Sequence, residues 1–303
     1  MTDLAGLFVP LITPFTPDGE LAAGPLEQLA HRVLDHGATG IVALGTTAES
    51  PTLTADEQVT VLDICSRVCS QRSAPLIAGA GSNDTAATAR ALAGLTAWPQ
   101  VCAALTVVPY YNRPGEAGVR EHFTALAAAN HVPIVIYNIP YRTGQPLSWS
   151  TLRQLATLPA IAGVKHAAGS IDADTMAMMA GRPAGFSVLG GDDLFVSPLL
   201  ALGAQGAILA SAHVCTADFA RLVRAWRDGD ASQARELGHR LAPVSSALFA
   251  EPSPAVIKAV LHRRGEIPSP AVRLPLLAAG SDTADAALAA VRGTGAGRAD
   301  IAA

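Results

Sequence analysis

Of the 21 basic side chains in this chain of 303 residues only two, Lys165 and Lys258, are lysine; the others are arginine. Lys165 falls inside the apolar run IAGVKHA (161–167), where an unpaired charge is costly to bury. Arginine cannot become a neutral nucleophile, whereas a desolvated lysine amine can fall from ~10.4 to about 7–8 and attack a carbonyl carbon. Lys165 is therefore a candidate for Schiff-base catalysis, weighed against a buried lysine that pairs with a carboxylate for structure alone. All four tyrosines, Tyr110, Tyr111, Tyr137 and Tyr141, cluster in one stretch. A phenol near an imine can pass protons among carbinolamine, imine and enamine. Tyr110 and Tyr141 read instead as core aromatics with satisfied hydroxyls.

Further polar groups sit at the ends of apolar runs. GTTAES (45–50) sets the hydroxyls of Thr46 and Thr47 and the amides of a tight turn where a small carboxylate could be held, or where they cap the next helix. Arg142 in YRTG is suited to fork onto a substrate carboxylate, or stands as a solvated loop residue. Gly190-Gly191-Asp192-Asp193 brings paired carboxylates to a run's end, which argues against a sugar phosphate; the acids read as structural or capping. His166 should point to the opposite side of its strand from Lys165. None of the 8 histidines forms an HxH or HExxH pattern, so no metal site is expected.

These residues need a scaffold, and the apolar pattern supplies one. Short β-branched runs bounded by Gly or Pro recur at 7–13, 40–45, 75–81, 103–109, 133–140, 161–167, 186–192 and 206–211. Ala- and Leu-rich stretches of helical period lie between them, as at 25–36, 55–69, 85–95 and 119–130. Nearly continuous apolar strands alternating with helices predict an α/β protein, a (β/α)8 TIM barrel with a C-terminal helical extension. A doubly wound open sheet is disfavoured, because no GxGxxG opens the first helix. The expected organisation is a catalytic barrel over 1–228, a helical region over 229–292 and a flexible tail over 293–303.

Composition excludes several partners. The net charge of −4 without basic runs leaves no footprint for nucleic acid or an anionic membrane. No apolar stretch reaches the roughly 18 residues of a membrane span, and the N-terminal stretch, broken by Pro10 and Pro14, does not read as a signal peptide. The 4 cysteines show no CxxC or zinc spacing and read as buried reduced thiols, which points to the cytoplasm.

The segments GTTAESPTL, VVPYYNRP, IVIYNIPYRTG, GVKHAAG, LGGDD, GAILAS and EPSPAVIKAVL, in this order, resemble the dihydrodipicolinate synthase and N-acetylneuraminate lyase family, the class I pyruvate-dependent aldolases. The likeness runs from about residue 6 to 280. It implies a lyase that forms a pyruvate imine on Lys165 with no metal or organic cofactor, in a homotetramer built as a dimer of dimers. It implies Tyr137 as proton shuttle and a relay through Thr46 and Tyr111, the latter reaching in from a neighbouring subunit. Thr47 and the backbone around Gly191 and Ile208 would hold pyruvate. YYNRP and YRTG resemble the synthase branch, in which Arg142 would bind the carboxylate of aspartate 4-semialdehyde. The product would be 4-hydroxy-tetrahydrodipicolinate, on the route to lysine and diaminopimelate. A family aldolase acting on a sugar acid such as 2-keto-3-deoxygluconate or N-acetylneuraminate is the alternative, and a non-catalytic metabolite-binding barrel a remote one.

Departures from the family pattern carry expectations of their own. Ala48 stands where the turn usually has glycine, which matters if that position needs a positive φ. His166 replaces a common acidic residue, and the usual NPxPxK segment reads SPAVIK, from Ser253 to Lys258. The places that carry histidines and a glutamate in lysine-inhibited relatives correspond to Ala55, Gln58 and Ala87, so lysine feedback is expected to be weak or absent.

Overall fold

Each of the eight apolar runs contains or overlaps a strand. In the computed structural model, which describes residues 4–295, these are β1 (Gly6–Pro10), β2 (Gly40–Ala43), β3 (Leu76–Gly79), β4 (Val101–Val107), β5 (Ile134–Asn138), β6 (Ile161–His166), β7 (Ser187–Gly190) and β8 (Gly206–Ile208). All pair in parallel in chain order, and β1 closes against β8, giving the TIM barrel. Period-two alternation divides the side chains. Phe8, Val42, Ile77, Val135, Tyr137, Leu189 and Ile208 fill the interior, while Val9, Ile41, Ile136, Val164 and Val188 face the helices. Close strand contact dictates one small residue: a Cβ at Gly163 would stand 2.2 Å from the Ser187 carbonyl oxygen.

The surrounding helices are α1 (Ala23–Asp35), α2 (Ala55–Gln71), α3 (Thr85–Gly94), α4 (Gly115–Ala129), α5 (Pro140–Thr143), α6 (Trp149–Leu155), α7 (Ala173–Gly181) and α8 (Val196–Ala201). Their starts are written in the sequence. Thr54 and Glu57 form a reciprocal capping box on α2, and the Asp84, Ser148 and Asp172 side chains accept the N-terminal N–H groups of α3, α6 and α7. After β8 only helices follow: α9 (Thr216–Asp228), α10 (Ala231–Leu248), α11 (Ala255–Arg263) and α12 (Ser281–Gly293). The tail expected from 293 begins within α12, and its residues 296–303 lie outside the described ones.

The C-terminal helices are tied to the mouth of the barrel by charge as well as packing. Lys258 of α11 donates to Glu49, in the turn after β2, and to the Ala271 carbonyl at 2.9 Å. The second Glu49 oxygen accepts the Arg273 backbone N–H at 2.8 Å. Arg273 forks onto Glu57 at 2.7 and 2.5 Å and holds the Glu57 carboxyl down at about 2. Phe15 packs against both cations, 4.1 Å from the Lys258 nitrogen and 4.4 Å from the Arg273 guanidinium carbon.

Candidate active site

Pairing of β5 with β6 sets Tyr137 opposite Lys165, and both side chains point into the barrel near its C-terminal mouth. The Lys165 nitrogen lies 4.2 Å from the centre of the Tyr137 ring. Lys165 is 5 % exposed, and its amine has no hydrogen-bond or ion-pair partner among the described residues. Burial lowers it to about 8, with Arg142 acting in the same sense and Asp193 opposing. A fraction of the amine is therefore neutral near pH 7.

Burial pushes the Tyr137 phenol above its ordinary value, so it keeps its proton; Tyr141 adds to the shift, while Arg142 and a hydrogen bond with the Thr46 side chain oppose it. Thr46 begins the short turn Thr46–Ala48 after β2. The Thr13 hydroxyl clamps this turn by donating to the Ala48 carbonyl at 2.8 Å, and Glu49 anchors its other end through Lys258 and Arg273. The left-handed residue here is Glu49, at φ 55°, whereas Ala48 has no positive φ, so a glycine is not required at position 48.

A chamber of about 30 Å³ gathers most of the expected site: Thr46, Thr47, Tyr137, Arg142, Lys165 and the β7 and β8 ends through Gly191 and Ile208. A Cβ at Gly191 would come within 2.7 Å of Lys165 Cγ, so glycine lets the β7 end close over the lysine stem. The chamber is a junction. Thr46, Tyr137 and Arg142 also line a cavity of about 550 Å³ on one side. Tyr141, Gly191, Asp193 and Phe249 also line one of about 340 Å³ on the other.

Tyr111 is the expected site residue that this chain does not bring to the chamber. It is 90 % exposed, at φ 69°. Tyr110 and Tyr141 correct the reading of them as core aromatics: both are exposed, because Tyr110 lies in the loop after β4 and Tyr141 in the short α5 just past β5. Tyr141 lies against Arg142, whose guanidinium carbon is 5.3 Å from its ring centre. His166 is packed outward as expected, its Nε2 3.0 Å from the Thr175 hydroxyl of α7. Asp193 does cap, its Oδ1 accepting the Ser211 N–H at 2.6 Å, but it also lines the chamber, which a capping role alone did not suggest. Its place just past β7, at the catalytic end of a barrel strand, was the available signal. Among the cysteines, Cys102 is half-buried rather than buried, and none of the four is in a disulfide.

Fold and site together define a (β/α)8-barrel lyase of the class I aldolase type. Residues 3–292 match the Dihydrodipicolinate synthetase family, and the chain belongs to it. The chain is 40% identical over 285 residues to the 4-hydroxy-tetrahydrodipicolinate synthase of Moorella thermoacetica, covering 94% of this chain and 96% of that protein. Against the enzyme of the same name from Neisseria gonorrhoeae it is 39% identical over 274 residues, 90% of this chain and 93% of that one. The solved 4-hydroxy-tetrahydrodipicolinate synthase of Methylacidiphilum fumariolicum SolV superposes with a TM-score of 0.92 at 31% identity, over 99% of this chain and 98% of that one. The dihydrodipicolinate synthase of Aquifex aeolicus gives 0.91 at 33%, over 97% and 99%. Among the described residues no helix is long and apolar enough to cross a membrane.

Proposed function

We propose that this chain condenses pyruvate with aspartate 4-semialdehyde to 4-hydroxy-tetrahydrodipicolinate through an imine on Lys165, a step toward lysine and diaminopimelate. The observation that carries this reading is the unpartnered Lys165 amine, lowered to about 8 and set 4.2 Å from the Tyr137 ring in a chamber shared with Thr46, Thr47 and Arg142. Neutral Lys165 attacks the ketone carbon of pyruvate, and Tyr137 supplies the proton with which the carbinolamine oxygen leaves as water. The imine acidifies the methyl group, and loss of a proton gives an enamine whose carbon attacks the aldehyde. Thr47 and the backbone at Gly191 and Ile208 hold pyruvate, while Arg142 forks onto the carboxylate of the semialdehyde. The imine is itself the electron sink, so the chemistry needs no cofactor and no metal.

The relay from Tyr137 through Thr46 ends on Tyr111 of a second copy. The exposure of Tyr111, its positive φ and the open 550 Å³ cavity running past Thr46 support an intersubunit role, in a homotetramer built as a dimer of dimers. Four free cysteines, three of them buried, and the biosynthetic relatives favour the cytoplasm as the place of action.

Turnover of the purified protein with pyruvate and aspartate 4-semialdehyde tests the assignment, the expected result being loss of both substrates and formation of the cyclic product. Arg142→Ala should cut semialdehyde use by about 100-fold while borohydride still traps pyruvate on Lys165. No turnover from a preparation that borohydride and pyruvate still label at Lys165 would reject the synthase reading and leave a pyruvate aldolase for a sugar acid.

A further inference from the structure

The cavity of about 340 Å³ beside the Lys165 chamber is acidic on one wall and has no use in the mechanism so far. Asp192 and Asp193 line it together with Ser245 and Ser246, and no residue of its lining is a cation. Both carboxyls are raised by burial, Asp193 to about 6 against the opposing pull of the Ser211 N–H and Lys165. Asp193 is buried, at 4 % exposure, and makes no ion pair within 4 Å among the described residues, while Asp192 beside it is half-buried. A buried carboxylate with a second, half-buried one beside it is costly unless something positive sits between them. A second observation points the same way: Ser245 of α10 is 1 % exposed, lines this cavity, and its hydroxyl has no hydrogen-bond partner among the described residues.

The described residues hold no group of three or more His, Cys, Asp or Glu that could form a metal shell. Two carboxylates and a hydroxyl instead match the three hydrogens of a primary ammonium. Asp193 lines the Lys165 chamber as well as this cavity, and Arg142 lines the chamber with it. One molecule can thus present its carboxylate to Arg142, its ammonium to Asp193 and its aldehyde to the enamine on Lys165.

We propose that Asp192, Asp193 and Ser245 form an ammonium subsite for the aldehyde substrate, and that Asp193 takes the proton that frees this amine to close the ring. The inference rests on the synthase reading above. After carbon–carbon bond formation the adduct is an iminium on Lys165. Asp193 accepts one proton from the ammonium, and the nitrogen lone pair attacks the iminium carbon, forming the ring C–N bond. A second proton passes from the ring nitrogen to Nζ of Lys165. The C–Nζ bond then breaks with its electron pair returning to Nζ, releasing the lysine as a free amine and the product as a cyclic iminium. That iminium and the Asp193 carboxyl each lose their proton to water as the site empties.

The test compares two aldehydes that differ only in the amine: aspartate 4-semialdehyde and 4-oxobutanoate. In Asp193→Asn the amide oxygen still accepts the Ser211 N–H, so the cap survives while the base is lost. Turnover of the semialdehyde should fall on the order of 100-fold, as for removal of a general base, with its adduct accumulating on Lys165 as read by borohydride trapping and mass spectrometry. Addition of 4-oxobutanoate to the pyruvate enamine, read from the same trapped lysine, should fall less than about threefold, and Asp192→Asn should raise the KM for the semialdehyde alone by roughly tenfold. Equal losses with both aldehydes, or no loss with either, overturn the ammonium subsite while leaving the synthase reading intact. Failure of the wild-type protein to turn over the semialdehyde at all removes the synthase reading and the subsite with it.

Discussion

Lys165 and Lys258 are the only lysines of the chain, and burial pulls both amines down from the ordinary lysine value, yet their surroundings are opposite. Lys258 is wholly enclosed and saturated: Glu49, the Ala271 carbonyl and the Phe15 face surround its nitrogen. Lys165 has the Tyr137 ring beside it and, among the described residues, no hydrogen-bond or ion-pair partner, and it lines the chamber. Desolvation alone therefore does not separate the lysine proposed to react from the one that does not. What separates the two is whether the protein has already spent the amine's hydrogen-bonding capacity on itself.

The contrast is broken most directly at Lys165. Lys165→Arg keeps the charge and length but should reduce turnover by at least about 10⁴-fold and abolish borohydride trapping of pyruvate, because guanidinium forms no imine. Trapping that persisted, located at Lys258 by peptide mapping, would erase the distinction. Next in size, Lys258→Met leaves Glu49 buried without its cation and should cost about 3–5 kcal/mol of stability, read by denaturant unfolding. Adding Glu49→Gln should recover part of that loss, whereas a single variant as stable as the parent would show the pair to be idle.

Burial with full saturation can also be tested on a histidine. His213 accepts the Ile12 N–H on Nε2 at 3.0 Å and donates from Nδ1 to the Ala210 carbonyl, and burial lowers it to about 4. Its folded pKa lies below the unfolded value, so the unfolded chain binds the extra proton first. Stability should be full above about pH 6.5 and lost as the pH falls toward 4, by about 3 kcal/mol from this group, which His213→Gln should reduce. The smallest effect concerns Lys165 again: the initial rate of imine trapping should rise about tenfold per unit below pH 8 and level off above it, following the neutral amine. A flat profile from pH 6 to 9 would mean that the amine does not titrate where its burial puts it.

The strands and the long helices were legible because their patterns are local: apolar runs ended by Gly or Pro, and caps such as Thr54 with Glu57. Lys165 stood out for being a lysine in an apolar strand, and Tyr137 came into the chamber because β5 and β6 pair in register. Partnership was not legible. Nothing near Lys258 in sequence announces Glu49, 209 residues away, so the status of this lysine becomes visible only once the chain is folded. Tyr141 was misread because an aromatic on an exposed helix at the mouth has the same letter as one in a core. Asp193 was half-read for a similar reason: a cap is a local motif, whereas facing Lys165 depends on how β6 and β7 converge.

The long reach of the Glu49 anchor also sets a timetable. Its two partners lie 209 and 224 residues downstream, so a chain still being synthesised has all eight strands available well before Lys258 and Arg273 exist. During that interval the turn carrying Thr46 and Thr47 lacks both of its C-terminal ties, and such distant contacts form late because the intervening chain must be ordered first. A chain that carries all eight strands but ends before Lys258 therefore has no latch on the turn of Thr46 and Thr47. Closing the sheet and latching the Thr46 turn are thus separable events, because the residues that do the latching lie beyond the last strand.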